Sequence, residues 1–280
     1  MNPRVRRRTG RVALNAAALV VIVCSIFPVY WMVNTSLLPA AAVRTSTPHL
    51  WPDQFTLSNY VDAFVEGGFG PALFVSLSVT VITVGVALVF AFLAAVAVSR
   101  YRFRSRTSFI IAILVIQMIP AESLIISTFR VLDGWQLLNT IIGLSFVYIA
   151  LVLPFTIWTL RGFVGGVPAE LEEAAMIDGC SRTGAFWRVT FPLLAPGLVA
   201  TGVFAFIQAW NEFVFALVIM TRPESQTLPI WLRSFVQATK ATDWSVVMAA
   251  STLMAIPVII FFLFVQGRMT SGLVSGAVKG

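Results

Sequence analysis

Cysteine and histidine, which build disulfides and many metal sites, are nearly absent from this chain. Its 280 residues include two cysteines, Cys24 and Cys180, and one histidine, His49. So few thiols and imidazoles predict neither a disulfide framework nor a metal cluster. The sequence also has no phosphate-binding glycine loop of the Walker A type and no nucleophile elbow. We therefore expect no metal site, no bound cofactor and no catalytic residue in this chain.

Charged residues are scarce as well. Asp, Glu, Lys and Arg make up 11% of the chain, whereas 58% of the residues are hydrophobic. This composition predicts an all-α integral membrane protein. The formal net charge of +7 does not indicate nucleic-acid binding, because arginines at the cytoplasmic ends of membrane spans make such proteins basic.

Apolar runs long enough to cross a bilayer occur six times. About 20 helical residues cover the ~30 Å of hydrocarbon. We predict one transmembrane domain over residues 1–280, with a polar loop at 161–196 and a tail at 267–280. The six predicted spans lie at about 12–37, 71–99, 107–129, 135–160, 197–221 and 244–266.

The basic residues predict the orientation of these spans. Of the 19 lysines and arginines, most fall on the same side as the N-terminus. The exceptions are Arg44, Arg130, Arg222, Arg233 and Lys240. The positive-inside rule then places both termini and the loop at 161–196 in the cytoplasm.

The longest polar interval, 168–196, predicts two short helices joined by a tight turn. Gly179 is suited to a left-handed residue that ends the first helix, and Ser181 to the N-cap of the second. We expect Pro192 and Pro196 to break the chain before the fifth span.

This interval resembles the EAA loop of ABC-importer permeases. The resemblance is carried by Glu173-Ala174-Ala175, Asp178-Gly179, Val189 and Phe191-Pro192, with Val and Phe as mild departures from Ile and Leu. It implies a coupling helix that docks on a cytoplasmic ATPase. The implied coupling residues are Glu172, Glu173, Ala174, Ala175, Asp178, Gly179 and Pro192. The alternative is an amphipathic loop without a partner.

Further stretches resemble the carbohydrate-uptake branch of that family, in particular the shorter maltose-type permease. They are Trp210-Asn211-Glu212-Phe213, Gln226-Thr227-Leu228-Pro229 and the C-terminal tail. The resemblance implies the type I importer (MetI-like) fold, with coupling helices between spans four and five. It also implies ATPase contact by the tail residues Gly276, Ala277, Val278, Lys279 and Gly280, for which a frayed terminus is the alternative.

The function implied by the resemblance is import of a sugar or oligosaccharide across a bacterial inner membrane. The chain would form half of a pore with a second permease subunit, and an extracytoplasmic solute-binding protein would deliver the sugar. Two ATP-binding subunits would bind ATP and Mg²⁺. Two alternatives stay open: an ABC permease for another solute, such as glycerol phosphate or a polyamine, and an ion-driven secondary transporter.

Ionisable residues inside apolar spans are candidates for the substrate path, because a carboxylate facing lipid is costly. Glu212 and Asn211 fall inside the fifth predicted span, with Trp210 beside them, and Glu122 falls inside the third. Carboxylates and amides bind hydroxyl groups well, and an indole ring could stack on a sugar. The equal alternative for Glu212 and Asn211 is a structural hydrogen bond to a neighbouring helix, or a position close enough to the outer interface to be solvated.

The predicted topology is tested by reporter fusions. Fusions at Arg104, Gly166 and Gly280 should report the cytoplasm, and fusions near Gln54 and Thr239 should report the outside. A fusion at Gly166 that reports the outside would contradict the assignment of the 161–196 loop.

Overall fold

A computed structural model describes residues 3–45, 47–236 and 242–277, and in this part of the chain the regular structure is helical. The α-helices are α1 Pro3–Ser36, α2 Ala40–Val43, α3 Ser58–Val61, α4 Phe69–Arg100, α5 Arg106–Met118, α6 Ile125–Gly134, α7 Ile141–Gly166, α8 Glu170–Ile177, α9 Arg182–Ala185, α10 Phe191–Asn211, α11 Val214–Ile219, α12 Leu228–Ser234 and α13 Trp244–Ala277. Single π-helical turns cover Asp62–Glu66 and Phe186–Thr190, and 3₁₀ turns cover Ala121–Leu124 and Pro223–Ser225.

Five helical stretches in the described part are long and apolar enough to cross a membrane. They are Leu14–Ser36, Phe69–Arg100, Ile141–Gly166, Arg182–Asn211 and Trp244–Gly267. A sixth crossing requires the pair Arg106–Met118 and Ala121–Gly134 to act as one span. The fold is that of an all-helical, multi-pass membrane protein.

The third apolar run is a broken helix, whereas the sequence predicted one span at 107–129. Its two halves meet at an angle of 88°. Pro120 explains the break, because proline has no N–H to donate and forces the residue before it out of the helical region. Ile119 accordingly has an extended backbone, with φ −77° and ψ 122°. The second half continues to Gly134, and the next helix starts at Ile141 rather than near residue 135.

The fifth apolar run also differs from its predicted bounds of 197–221. The helix starts earlier, because Pro192 and Pro196 do not break the chain: α9, the π turn Phe186–Thr190 and α10 form one stretch. The π turn ends directly before α10, so that the missing N–H of Pro192 falls in the first turn of the new helix. The same run ends earlier, at Asn211, and a separate short helix follows.

The chain divides into two compact units, of which the first comprises Met1–Phe69 and Leu232–Pro257. In this unit the segment after α1 folds back on the helix end. The Asn59 side chain donates from Nδ2 to the carbonyls of Ser36 (2.8 Å) and Leu38 (2.9 Å). Carbonyls at a helix end have no partner within the helix, so the buried Asn59 amide satisfies that of Ser36, the last residue of α1, and also that of Leu38 just beyond it.

The second unit comprises Gly70–Trp231 and Val258–Gly280. Small residues let its long helices pack closely. Ala91 and Ala95 of α4 are fully buried in a cluster with Leu160 of α7 and Leu194 of α10. Gly197 of α10 faces α7 so closely that a Cβ placed on it would lie 2.4 Å from the Phe163 ring.

The close approach at Gly197 generates a stability prediction. Gly197→Ala should lower the thermal unfolding midpoint in detergent, because overpacking typically costs about 1–3 kcal/mol. Gly162→Ala is the matched control, since nothing lies within 4 Å of a Cβ there. The control should equal or exceed the wild type, because alanine favours a helix over glycine. If Phe163→Ala in the Gly197→Ala background fails to recover any stability, the proposed clash is not the cause.

Candidate functional site

A cavity of about 820 Å³ lies inside the second unit. It is lined by residues of α5, the 3₁₀ turn Ala121–Leu124, α6, α7, α10 and α11. Aromatic rings form much of its wall, and the rings of Phe155 and Phe204 are 4.0 Å apart between centroids. Among the residues that the structure describes, the charged ones in its lining are Glu122 and Glu212, with no lysine or arginine. The cavity is therefore an apolar, aromatic chamber with two carboxylates.

Glu212 lies at the break between α10 and α11, with an extended backbone at φ −65° and ψ 129°. Its carboxylate accepts hydrogen bonds from the backbone N–H groups of Phe215 (2.8 Å) and Ala216 (3.1 Å), which begin α11. The Glu212 carbonyl accepts a hydrogen bond of 3.3 Å from the Tyr148 hydroxyl of α7. Glu212 therefore lies at a break between two helices rather than within one helix over the predicted span 197–221, and its role in the substrate path stays a prediction.

Glu122 occupies the other break, in the 3₁₀ turn after Pro120. Its side chain is exposed and lines the cavity. Gln117 and Gln208 also line the cavity with exposed side chains. The structure thus brings together two carboxylates and two carboxamides, all of which can bind hydroxyl groups. We did not predict these two glutamines as site residues from the sequence. An amide side chain within an apolar run was the signal that could have indicated them.

Trp210 and Asn211 are not among the residues that line this cavity. Trp210 is 2% exposed, and its ring stacks on Phe206 at a centroid distance of 5.5 Å. Asn211 donates from Nδ2 to the Ile207 carbonyl at 2.9 Å. Successive helical residues point about 100° apart, so neighbours of Glu212 face other directions. A role of Trp210 and Asn211 in the substrate path stays a prediction.

The polar interval forms a helix–turn–helix: α8, a turn at Asp178–Ser181, and α9. Gly179 has φ +92°. Its N–H binds the Met176 carbonyl at 3.1 Å, and the Cys180 N–H binds the Ala175 carbonyl at 3.0 Å. These two bonds form a Schellman motif, which a glycine in the left-handed region makes possible. Ser181 Oγ then accepts from the Gly184 N–H at 3.1 Å, so the predicted N-cap is confirmed.

The carboxylates of this interval lie in two different environments. Glu173 is exposed, as are Glu170 and Asp178. Glu172 instead points inward, where Oε1 lies 3.1 Å from Nη2 of Arg100, the last residue of α4. Thr190 Oγ1 also donates to this oxygen, at 2.8 Å. Glu172 is therefore held by residues of its own chain.

The predicted tail residues fall at the end of the described chain. Gly276 and Ala277 are the last residues of α13, which continues as a helix beyond the predicted span end at 266. Val278, Lys279 and Gly280 lie outside the described residues. Arg100 and Tyr101 were not recognised as site residues in the sequence, because the basic block that they begin indicates topology in the first place.

Comparison with known proteins identifies the family. Residues 87–273 match the family described as "Binding-protein-dependent transport system inner membrane component". The diacetylchitobiose uptake system permease protein DasC of Streptomyces coelicolor is 44% identical over 97% of this chain and 98% of its own. The trehalose/maltose transport system permease protein MalG of Thermococcus litoralis is 34% identical over 96% of this chain and 97% of its own.

A solved structure agrees with these relatives. It is a chain of a bacterial ABC transporter involved in the import of the acidic polysaccharide alginate, with a TM-score of 0.80 and 25% identity. The match covers 95% of this chain and 98% of that one. The chain described here is therefore a permease subunit of an ABC importer and belongs to the binding-protein-dependent transport system inner membrane components.

Proposed function

We propose that this permease carries a neutral saccharide through the cavity of its second unit and is driven through the helix–turn–helix α8–α9. Both termini and α8–α9 lie in the cytoplasm. A second permease completes the pore, two ATPase subunits bind ATP and Mg²⁺, and a solute-binding protein delivers the sugar from outside. An ion-driven mechanism is set aside, because the family is that of ABC importers.

One observation carries this proposal: an unbroken helical stretch, Arg182–Asn211, connects the two candidate sites. Its first residue follows the Ser181 cap of the helix–turn–helix. Its last turns contribute Gln208 and Ala209 to the cavity, directly before Glu212. Movement imposed on α8–α9 by the ATPases therefore reaches the cavity through continuous helix.

The exposed face of α8 fits a docking role. Ile177 is 86% exposed, and Met176 beside it is also exposed. Glu173 is an exposed carboxylate on the same helix. Apolar side chains surrounded by polar residues on a segment outside the spans are typical of a protein interface. We assign this face to the cleft of the ATPase, and the tail Gly276–Gly280 to a second ATPase contact.

The cavity lining supports a neutral saccharide rather than a phosphate-bearing solute. Selective anion paths are built with lysine or arginine, whereas the charged groups that line this cavity, in the part of the chain the structure describes, are the carboxylates of Glu122 and Glu212. Aromatic walls and carboxamides suit a sugar, which has apolar faces and many hydroxyl groups. The similar permeases whose names include diacetylchitobiose, trehalose and maltose favour the same class.

The proposal is tested by reconstituting the chain with its partner subunits and binding protein in proteoliposomes. Uptake of diacetylchitobiose, trehalose and maltose should be measured with ATP, with a non-hydrolysable ATP analogue, and with an ion gradient alone. We expect uptake of at least one of these sugars with ATP only. Uptake that follows an ion gradient, or that is restricted to an acidic oligosaccharide, would contradict the proposal.

Two substitutions in the helix–turn–helix test coupling. Glu173→Lys reverses an exposed charge on the docking face, and Gly179→Val places a β-branched residue at φ +92°, where L-residues are strained. Both variants should reach the membrane, co-purify with less ATPase and lose most of their uptake. Glu224→Lys, in the turn Pro223–Ser225, and Gly165→Val, in α7, are the matched controls and should transport normally. Normal uptake by both test variants would refute the coupling role.

Substitutions of Glu212 and Glu122 distinguish a role of Glu212 in the substrate path from a role in capping α11. Glu212→Gln keeps one acceptor for the α11 N–H groups, whereas Glu212→Leu removes both. Loss of a helix cap typically costs about 0.5–2 kcal/mol. We expect Gln to keep partial uptake with altered apparent affinity, and Leu to abolish uptake with the protein still folded. Glu122→Leu changes the cavity without removing a cap and should also reduce uptake.

Two different outcomes would contradict a role of Glu212 in the substrate path. Wild-type uptake by both Glu212 variants would remove Glu212 from the substrate path. A lower unfolding midpoint in Glu212→Leu, together with normal uptake in Glu122→Leu, would favour the purely structural role.

A further inference from the structure

The helix–turn–helix α8–α9 has little apolar burial of its own. No residue of α8 is buried, and the helix is eight residues long. Isolated helices of this length are unstable in water. Specific contacts with the rest of the second unit must therefore fix the position of α8.

Arg100, the last residue of α4, and Tyr101 directly after it supply such contacts, one to each half of the motif. Arg100 lies 3.1 Å from the Glu172 carboxylate of α8. The Arg182 guanidinium of α9 lies 5.7 Å from the centroid of the Tyr101 ring, within the range of a cation–π contact. The two contacts are independent of the docking face, because Glu173 and Ile177 are exposed.

The ion pair is partly withdrawn from water. The side chains of Arg100 and Glu172 are 15% and 16% exposed. Nε and Nη2 of Arg100 are buried and make no aligned hydrogen bond in the described part of the chain. The contact of Arg100 with Glu172 is therefore mainly electrostatic, and Thr190, which is fully buried, orients the shared oxygen. Removing one charge would leave the other partly buried without its counter-charge.

The end of α4 belongs to the packed body that reaches the cavity. Ala91 and Ala95 of α4 pack with Leu160 of α7 and Leu194 of α10. Phe92 of α4 also contacts the Phe191 ring at a centroid distance of 5.7 Å. A motif fixed to α4 therefore moves with α7 and α10, both of which line the cavity.

We propose that Arg100 and Tyr101 form a clasp that fixes α8–α9 to α4 through Glu172 and Arg182, and that this clasp determines how much ATPase movement reaches the cavity. Glu172 is then a positioning residue rather than an ATPase-docking residue. Without the clasp, the ATPases still bind, but their movement is absorbed by bending at the Val167–Pro168 connection and at Gly179. This inference rests on the proposed function of the motif.

The test measures coupling separately from assembly. Arg100→Gln, Glu172→Gln and the double variant are purified with their partner subunits in proteoliposomes. ATPase co-purification, binding-protein-stimulated ATP hydrolysis and sugar uptake per ATP hydrolysed are recorded for each. We expect co-purification to stay near the wild-type level, and uptake per ATP to fall by about fivefold or more, a usual lower bound for coupling between two sites.

The double variant distinguishes the clasp from general destabilisation. If the two side chains act as one unit, the double variant should be no worse than either single variant, because residues in contact are non-additive. Arg100→Lys should recover part of the uptake per ATP, and Tyr101→Leu should lower this ratio without changing the ion pair. Wild-type ratios in Arg100→Gln and Glu172→Gln, strictly additive losses, or loss of ATPase co-purification in Glu172→Gln would overturn the proposal. Failure of wild-type uptake with ATP would instead refute the proposed function.

Discussion

Backbone groups left free at helix ends need hydrogen-bond partners, and inside the bilayer the hydrocarbon offers none. At the break after α10, the Glu212 carboxylate accepts the first N–H groups of α11. At the end of α8, Gly179 and Cys180 bind back to two carbonyls of that helix. At the end of α1, the Asn59 side chain occupies two carbonyls. The positions of these polar residues therefore decide where the helices end.

The two ends of α7 and α10 differ in what their side chains contact. Their ends near the helix–turn–helix are packed through small residues, with Gly197 of α10 against Phe163 of α7. Their other ends carry Tyr148 and Gln208 to the cavity. Close packing between the two ends makes the pair resist bending, since protein interiors are as dense as organic crystals. Gln208 and Glu212, which line the cavity, lie in the last turn of α10 and directly after it.

Some local features of the fold could be predicted from the sequence, whereas the breaks at Pro120 and Glu212 and the non-local contacts could not. The helix stop at Gly179 and the cap at Ser181 depend on residues within one turn, so they were predictable and are confirmed. The break at Glu212 was not predicted, because the apolar run continues on both sides of it. The available signal was Glu212 itself, because a glutamate can accept hydrogen bonds from the backbone N–H groups three and four residues after it. Such a residue fits the start of a helix as well as the lining of a pore. The contact of Arg100 with Glu172 joins residues 72 positions apart, and only the fold brings them together.

The helical stretch Arg182–Asn211 is longer than one crossing of the bilayer requires. Thirty helical residues measure about 45 Å, which exceeds the ~30 Å of hydrocarbon by several turns. Part of the stretch therefore extends beyond the hydrocarbon of the bilayer. A tilt of about 5° about its Arg182 end displaces the other end by ~4 Å, roughly three-quarters of the ~5.4 Å rise of one helical turn. Gln208 and Ala209 lie at the end that borders the cavity, so a tilt of the stretch about its other end displaces part of the cavity lining.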